Sequence, residues 1–253
     1  MKALIKKNLQ NIEMQHNIRI ILAVESGSRA WGFSSADSDW DVRFIYVNRP
    51  AWYLKVFPDR DVIELMDGEL DLSGWDIRKA LTLLHRSNPS LFEWLRSPIV
   101  YAERPEAAEA LRALSSLYYQ PKPSIHHYLH MATNNWNAYI KGANPVLMKK
   151  YLYIFRPILA CQYIEDTGST PPMEIDKLLG YLSGDVLDNF NKLLAKKRGN
   201  EELGKMQPDE TLNQWIEERL AYFERYASSL NRPQHTADML DQYLNTWVYK
   251  IWD

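Results

Sequence analysis

Apolar residues at Leu4, Ile5, Leu9 and Ile12 recur at helical spacing and predict a helix over residues 1–15. The apolar run at 18–24 predicts a buried strand that stops at Glu25-Ser26-Gly27-Ser28. Over 39–47 the period changes to two, so that Trp40, Val42 and Phe44 point one way and Asp39, Asp41 and Arg43 the other. Asp67-Gly68 is a pair suited to a tight hairpin turn between strands at 61–66 and 69–72. Ser73-Gly74-Trp75-Asp76 has the form of a capping box, which predicts a helix whose buried stripe is Ile77, Ala80, Leu81 and Leu84. Asn88-Pro89 breaks that helix, and Leu91, Trp94 and Leu95 mark a further short one.

Beyond about Pro105 the pattern is helical throughout, with candidates at 106–119, 124–141, 145–166, 174–182, 185–197, 211–230 and 236–252. Breakers at Pro121, Pro123, Asn144-Pro145, Pro171-Pro172, Gly199 and Pro208 separate most of them. An α+β front and an all-helical back predict two domains, 1–103 and 104–253.

Composition narrows the class. The chain has 253 residues, 46% hydrophobic and 25% charged, which supplies a packed core and excludes collagen-like and disordered chains. Its net charge is −2, and residues 1–100 hold 13 basic and 13 acidic side chains. The strongly basic half of a non-specific nucleic-acid binder is absent, so any nucleic-acid contact is expected to be local. One cysteine, Cys161, excludes an intrachain disulfide and predicts a reducing, cytoplasmic setting. The polar start and the shortness of the early apolar run predict neither a signal peptide nor a membrane span, which needs roughly 20 apolar residues.

The chemistry centres on Gly27-Ser28, ten further residues, and then Asp39-Trp40-Asp41-Val42. Carboxylates at i and i+2 of a strand share a face, where they repel unless a cation lies between them. Mg²⁺ is the natural choice, because it takes oxygen ligands and bridges carboxylates to phosphates. A Gly-Ser turn at the preceding strand end offers backbone amides and a hydroxyl to those phosphates.

This ordered set resembles the signature of the DNA polymerase beta-like nucleotidyltransferase superfamily. The stretch ESGSRAWGFSSADSDWDVRFIY at 25–46 narrows the resemblance, together with Trp75-Asp-Ile-Arg-Lys79, Asn88-Pro89, Glu93-Trp94-Leu95 and Ser97-Pro98. Together they resemble a nucleotidyltransferase family of that superfamily linked to an RNA repair pathway. The helical region matches more loosely, through His127-Tyr128 and residues 149–157. The resemblance implies a nucleotidyltransferase domain of mixed sheet and flanking helices, followed by a helical domain that covers the cleft. It implies transfer of a nucleoside monophosphate from an NTP to an acceptor hydroxyl, with release of pyrophosphate; the sequence does not name the NTP, ATP being one candidate. Two Mg²⁺ ions, with Mn²⁺ as substitute, would be held by Asp39, Asp41 and a third carboxylate. Asp71 is the best match for that third position, and Glu69, of the same parity, is the alternative.

Gly27 and Ser28 are expected at the terminal phosphates, and Arg29 and Arg43 are candidates to neutralise them. Lys79 is a further candidate, with a solvated helix position as its plain alternative. Lys149, Tyr153 and Arg156 fall on one helix face, so Lys149 and Arg156 could reach a triphosphate or could simply form a basic edge. His126 and His130 have the spacing of a helical zinc site but lack the intervening Glu and a third ligand, so ordinary surface or core roles are expected. Lys192, Lys196, Lys197 and Arg198 read as the basic end of a helix. Cys161 and the aromatic stripes, among them Trp215 and Tyr222, read as packing residues. An RNA end is the expected acceptor; a protein or a small molecule is the alternative. The rival class is a catalytically silent nucleotide-binding regulatory or antitoxin-like module.

Overall fold

The two-residue period at the Asp-Trp-Asp segment is realised as the central strand of a mixed sheet. The computed structural model describes residues 1–199, 204–231 and 236–253. Its strands β1 (Arg19–Ser26), β2 (Trp40–Val47), β3 (Val62–Asp67), β4 (Leu70–Asp76) and β5 (Val100–Glu103) form one sheet in the order β3-β4-β2-β1-β5. The pair β2 and β4 is parallel, and every other neighbour in the sheet is antiparallel. The two-residue turn falls one position later than expected, at Gly68-Glu69, because Asp67 still pairs with Leu70 as the last residue of β3; Gly68 takes φ +60°.

Alternation along β2 splits the core into two layers. Val42, Phe44 and Tyr46 lie with Ile5, Leu9 and Ile12 of helix α1 (Lys2–His16) and with Leu70, Leu72 and Tyr101. Ile45 and Val47 lie in the other layer, with Ile77, Leu81 and Leu84 of a helix over Ile77–His85, and with Leu91, Trp94 and Leu95 of one over Pro89–Arg96. Gly74 of β4 sits against the Phe44 ring, where a Cβ would approach to 2.0 Å, so only glycine permits this strand spacing.

Two compact units divide the chain. One contains Met1–Ala30, Asp39–Tyr119 and the C-terminal segment; the other contains Trp31–Ser38 and the chain between Gln120 and that segment. The packing thus runs along different lines from a boundary at 103/104. Ala107, Ala108, Leu111 and Leu114 of the helix Pro105–Tyr118 complete the second core layer, joined by Leu240, Tyr243, Trp247 and Val248 of the helix Asp238–Lys250. Tyr243 Oη donates to the Ala107 carbonyl at 2.8 Å, pinning the two helices together.

The second unit is built from helices Pro121–Tyr139, Met148–Thr167, Gly184–Arg198 and Glu210–Ser229. Phe155 stacks between Phe190 (4.6 Å) and Trp215 (4.5 Å), as the aromatic stripes predict for a core. The helix expected at 174–182 is instead two short 3₁₀ turns, Ile175–Lys177 and Leu179–Tyr181, with Gly180 weakening helical continuity. A two-residue ladder, Val146–Leu147 against Lys205–Met206, also departs from the all-helical expectation. Cys161 is buried and unpaired. Among the described residues no helix is long and apolar enough to cross a membrane.

Candidate functional site

Parallel pairing of β2 with β4 sets Trp40 opposite Leu70 and Asp41 opposite Asp71, at the beginning of both strands. The start of β2 is moored to the hairpin by a 2.8 Å bond from Trp40 N to the Glu69 carbonyl. Glu69 lies in the turn with its side chain exposed, so Asp71 rather than Glu69 faces Asp41. One guanidinium serves both carboxylates. Arg43 Nη2 reaches Asp41 Oδ1 at 3.1 Å and Asp71 Oδ2 at 2.7 Å, while its Nη1 donates to the carbonyls of Val42 and Asp71. Arg43, expected at a triphosphate, therefore spends its donors on the carboxylate pair.

Gly27 opens a short helical turn (Gly27–Trp31) at φ +70°, and a Cβ on it would lie 2.2 Å from Asp41 Oδ2. The Gly-Ser pair thus brings bare backbone against a carboxylate. Ser28 is half-buried on the same turn. Arg29 stacks on Trp40 at 3.8 Å and donates to the Asp39 carbonyl at 3.1 Å, which fixes the approach to β2. Asp39 itself is exposed, one residue ahead of the strand.

Burial holds the Asp41 carboxyl above the usual carboxylate range, and the negative charges of Asp71 and Asp39 add to this against the opposing pull of Arg43. Glu25, which sequence reasoning passed over, is wholly buried beside it. Its carboxyl is likewise pushed up by burial, despite bonds from Tyr101 Oη and the Asp41 amide. The signal was present: an acidic residue closes an otherwise apolar strand, two positions before Gly27.

The donor set defines the chemistry these side chains suit. Oxygen atoms only, in two carboxylates already drawn to one positive charge and a third acting on them electrostatically, suit a hard divalent cation. The expected triad is not itself assembled. Among the described residues no three His, Cys, Asp or Glu side chains are placed together to hold a metal ion. Arg43 lies across the Asp41–Asp71 pair, and Asp39 stays exposed ahead of β2.

The remaining candidates lie elsewhere. Lys79 follows the far end of β4, and the five residue steps from Asp71 to Asp76 span roughly 16 Å of extended chain. There it pairs with Asp61 at 3.1 Å, which removes it from the carboxylate end of the sheet. In the helical unit Arg156 is buried, donates to the Met173 carbonyl at 3.3 Å and stacks on Trp31 at 4.4 Å. It is thus a core residue of that unit, against the expectation of a phosphate contact. Lys149 is exposed, and with Lys197 its charge helps hold the Asp37 carboxyl below the usual range, behind hydrogen bonds from Ser35 and the backbone. Lys197 donates to Ser35 Oγ, and Arg198 binds the Gly32 carbonyl and Asp176. The basic helix end therefore holds the 31–38 loop.

The chain that carries this Gly-Ser turn and the two facing strand aspartates belongs to the DNA polymerase beta-like nucleotidyltransferase superfamily. Within it, the chain belongs to the RNA repair pathway DNA polymerase beta family (RlaP), whose model matches residues 1–246. It is 42% identical over 257 residues to the Bacillus subtilis (strain 168) protein described as "Uncharacterized protein YcgL", covering 100% of this chain and 98% of that one. Among solved structures it is similar to a nucleotidyltransferase-like protein from Exiguobacterium sibiricum 255-15, at 16% identity and a TM-score of 0.33, over 95% of this chain and 78% of that one.

Proposed function

We propose that the protein transfers a nucleoside monophosphate from an NTP to an acceptor hydroxyl. The observation that carries this reading is the in-register pairing of Asp41 with Asp71 beside Gly27. Asp41 and Asp71, with Asp39 beside them, are the residues that would hold Mg²⁺ or Mn²⁺. When bound, two such ions would stabilise the attacking and leaving oxygens of an in-line displacement.

The chain's own groups supply the rest. The missing side chain of Gly27 makes room for the Asp41 carboxylate beside the turn, and the backbone amides of the turn and the Ser28 hydroxyl would donate to the triphosphate oxygens. Asp71 accepts the proton of the acceptor hydroxyl as the new O–P bond forms at the α-phosphorus. The bond from that phosphorus to the bridging oxygen breaks, and pyrophosphate leaves with the electron pair. Arg43 keeps Asp41 and Asp71 from repelling each other while the site is loaded. ATP is one candidate nucleotide. An RNA end is the favoured acceptor, supported by the family's description as an RNA repair family. A reducing cytoplasm as the place of action is supported by the lone buried Cys161.

A second reading is favoured by one observation: Arg43 occupies both carboxylates and the triad is not assembled. On that reading the protein binds nucleotide and does not turn it over. Incubation with each α-labelled NTP, Mg²⁺ or Mn²⁺ and separate pools of RNA, protein and small acceptors decides between them. Label on RNA with release of pyrophosphate supports transfer to RNA. Binding without pyrophosphate release supports the silent module, and label on protein alone overturns the RNA preference.

A further inference from the structure

A carboxylic acid buried in a sheet of apolar side chains needs a reason. Position 25 follows the apolar run 20–24 within the strand Arg19–Ser26, and Glu25 has no solvent exposure. Valine or leucine would pack there without the desolvation that an acid incurs, so packing alone does not explain it. What glutamate adds is a directed pair of acceptors.

The structure shows where they go. Oε1 accepts the main-chain N–H of Asp41 at 2.9 Å, and Oε2 accepts the hydroxyl of Tyr101. The Glu25 backbone is fixed on both sides, its N–H donating to Ile99 O at 2.9 Å and its carbonyl accepting Ser97 Oγ at 2.6 Å. Tyr101 belongs to β5 and is itself buried in the layer with α1. A rigid frame of β1, β5 and the turn before β5 therefore ends in one acceptor aimed at the amide of Asp41. Asp41 is consequently held three ways: by its amide on Glu25, and by its carboxylate both against Gly27 and on Arg43 Nη2.

We infer that Glu25 is a positioning residue of the site, aiming the Asp41 carboxylate through its main-chain amide, with Tyr101 as the anchor that aims Glu25. The inference rests on the nucleotidyltransferase reading given above. Outer partners that orient a ligating group commonly contribute about 10- to 100-fold to metal affinity or activity.

Three variants test it, each read by Mn²⁺ affinity from water-proton relaxation, by thermal midpoint, and by kcat and KM for transfer from Mn²⁺–ATP. Glu25→Gln keeps the shape and one carbonyl acceptor, and should retain Mn²⁺ affinity within about threefold. Glu25→Leu removes the acceptor, and should weaken Mn²⁺ binding and lower kcat by about tenfold or more, with KM for the nucleotide little changed. Tyr101→Phe leaves Glu25 and the packing in place and should fall between them, which keeps the test open even if Glu25→Leu does not fold. Parent-like Mn²⁺ affinity and kcat in a folded Glu25→Leu, or in Tyr101→Phe where Glu25→Leu does not fold, would overturn the inference alone. A parent protein that neither binds Mn²⁺ nor transfers label would overturn the nucleotidyltransferase reading and this inference with it.

Discussion

Asp41 and Asp71 stand opposite each other on parallel strands and share the guanidinium of Arg43, 3.1 Å from one and 2.7 Å from the other. Two carboxylates brought this close in a half-buried setting would repel, and Arg43 supplies the charge that lets the strands pair in this register. The relationship gives the first expectation. Asp41→Asn and Asp71→Asn should each lower transfer by about 100-fold or more, because each removes a group that acts on the reacting atoms. Glu69→Gln, in the exposed turn two residues from Asp71, should leave transfer unchanged. Rates from single-turnover label transfer check all three, and a silent Asp71→Asn beside an inactive Glu69→Gln would reverse the assignment of the third carboxylate.

Gly27 and Gly68 both have left-handed φ values, +70° and +60°, but only Gly27 faces an obstacle. Alanine at Gly68 should cost about 1–2 kcal/mol of backbone strain and nothing in activity. Alanine at Gly27 carries the same strain and also displaces the Asp41 carboxylate, so activity should fall well beyond the loss of stability. Urea denaturation beside the transfer assay separates the two effects.

Asp76 caps the helix Ile77–His85 by accepting the Arg78 N–H at 2.8 Å, and also accepts Tyr53 Oη at 2.7 Å and Asn48 Nδ2 at 2.9 Å. Burial outweighs these donors and holds its carboxyl above the usual range. The folded state then keeps this proton to higher pH than the unfolded state does. Between the unfolded value, about 3.9, and the raised folded one, the unfolded chain binds fewer protons, so stability falls as pH rises. Denaturation from pH 4 upward should show this decline, and Asp76→Asn should remove its share of the slope. Equal slopes in parent and variant would contradict the burial argument.

Lys79 and Arg156 offer contrasting outcomes. Lys79→Ala breaks a half-exposed pair with Asp61 at the far end of β4 and should leave transfer at the parent rate. Arg156→Ala removes a buried guanidinium from Trp31 and the Met173 carbonyl, and should lower stability by about 1–3 kcal/mol, visible in the thermal midpoint.

What the residue pattern revealed and what it concealed divide along physical lines. Where one face of an element is buried, periodicity reports it directly: Ile5, Leu9 and Ile12 of α1, the alternation through Trp40 and Phe44, and the stripe from Ile77 to Leu84 are all found as expected. The helix cap falls at Asp76 instead of Ser73, because β4 continues beside β2 as far as Asp76, opposite Tyr46. A capping signature is local, and pairing with a distant strand overrode it. The four-residue strand Val100–Glu103 was hidden for a similar reason, being too short to display a period. At the site, Asp41 was singled out by the Gly-Ser to Asp-x-Asp spacing and Asp71 only by the resemblance, since Glu69 has the same parity; it is strand register that sets Asp71 opposite Asp41. The commitment of Arg43 to those carboxylates was not legible, since charge on a shared face does not say which partner it takes. Glu25 was concealed by its neighbours, an apolar run in which an acid looks like a strand end.

The helix Asp238–Lys250 completes the layer begun by Ile77, Leu91 and Leu111, more than a hundred positions earlier in the chain. During synthesis, then, the sheet emerges long before its last covering helix. Until that helix leaves the ribosome, the apolar surface that Tyr243 and Trp247 cover in the folded chain has nothing from that helix upon it.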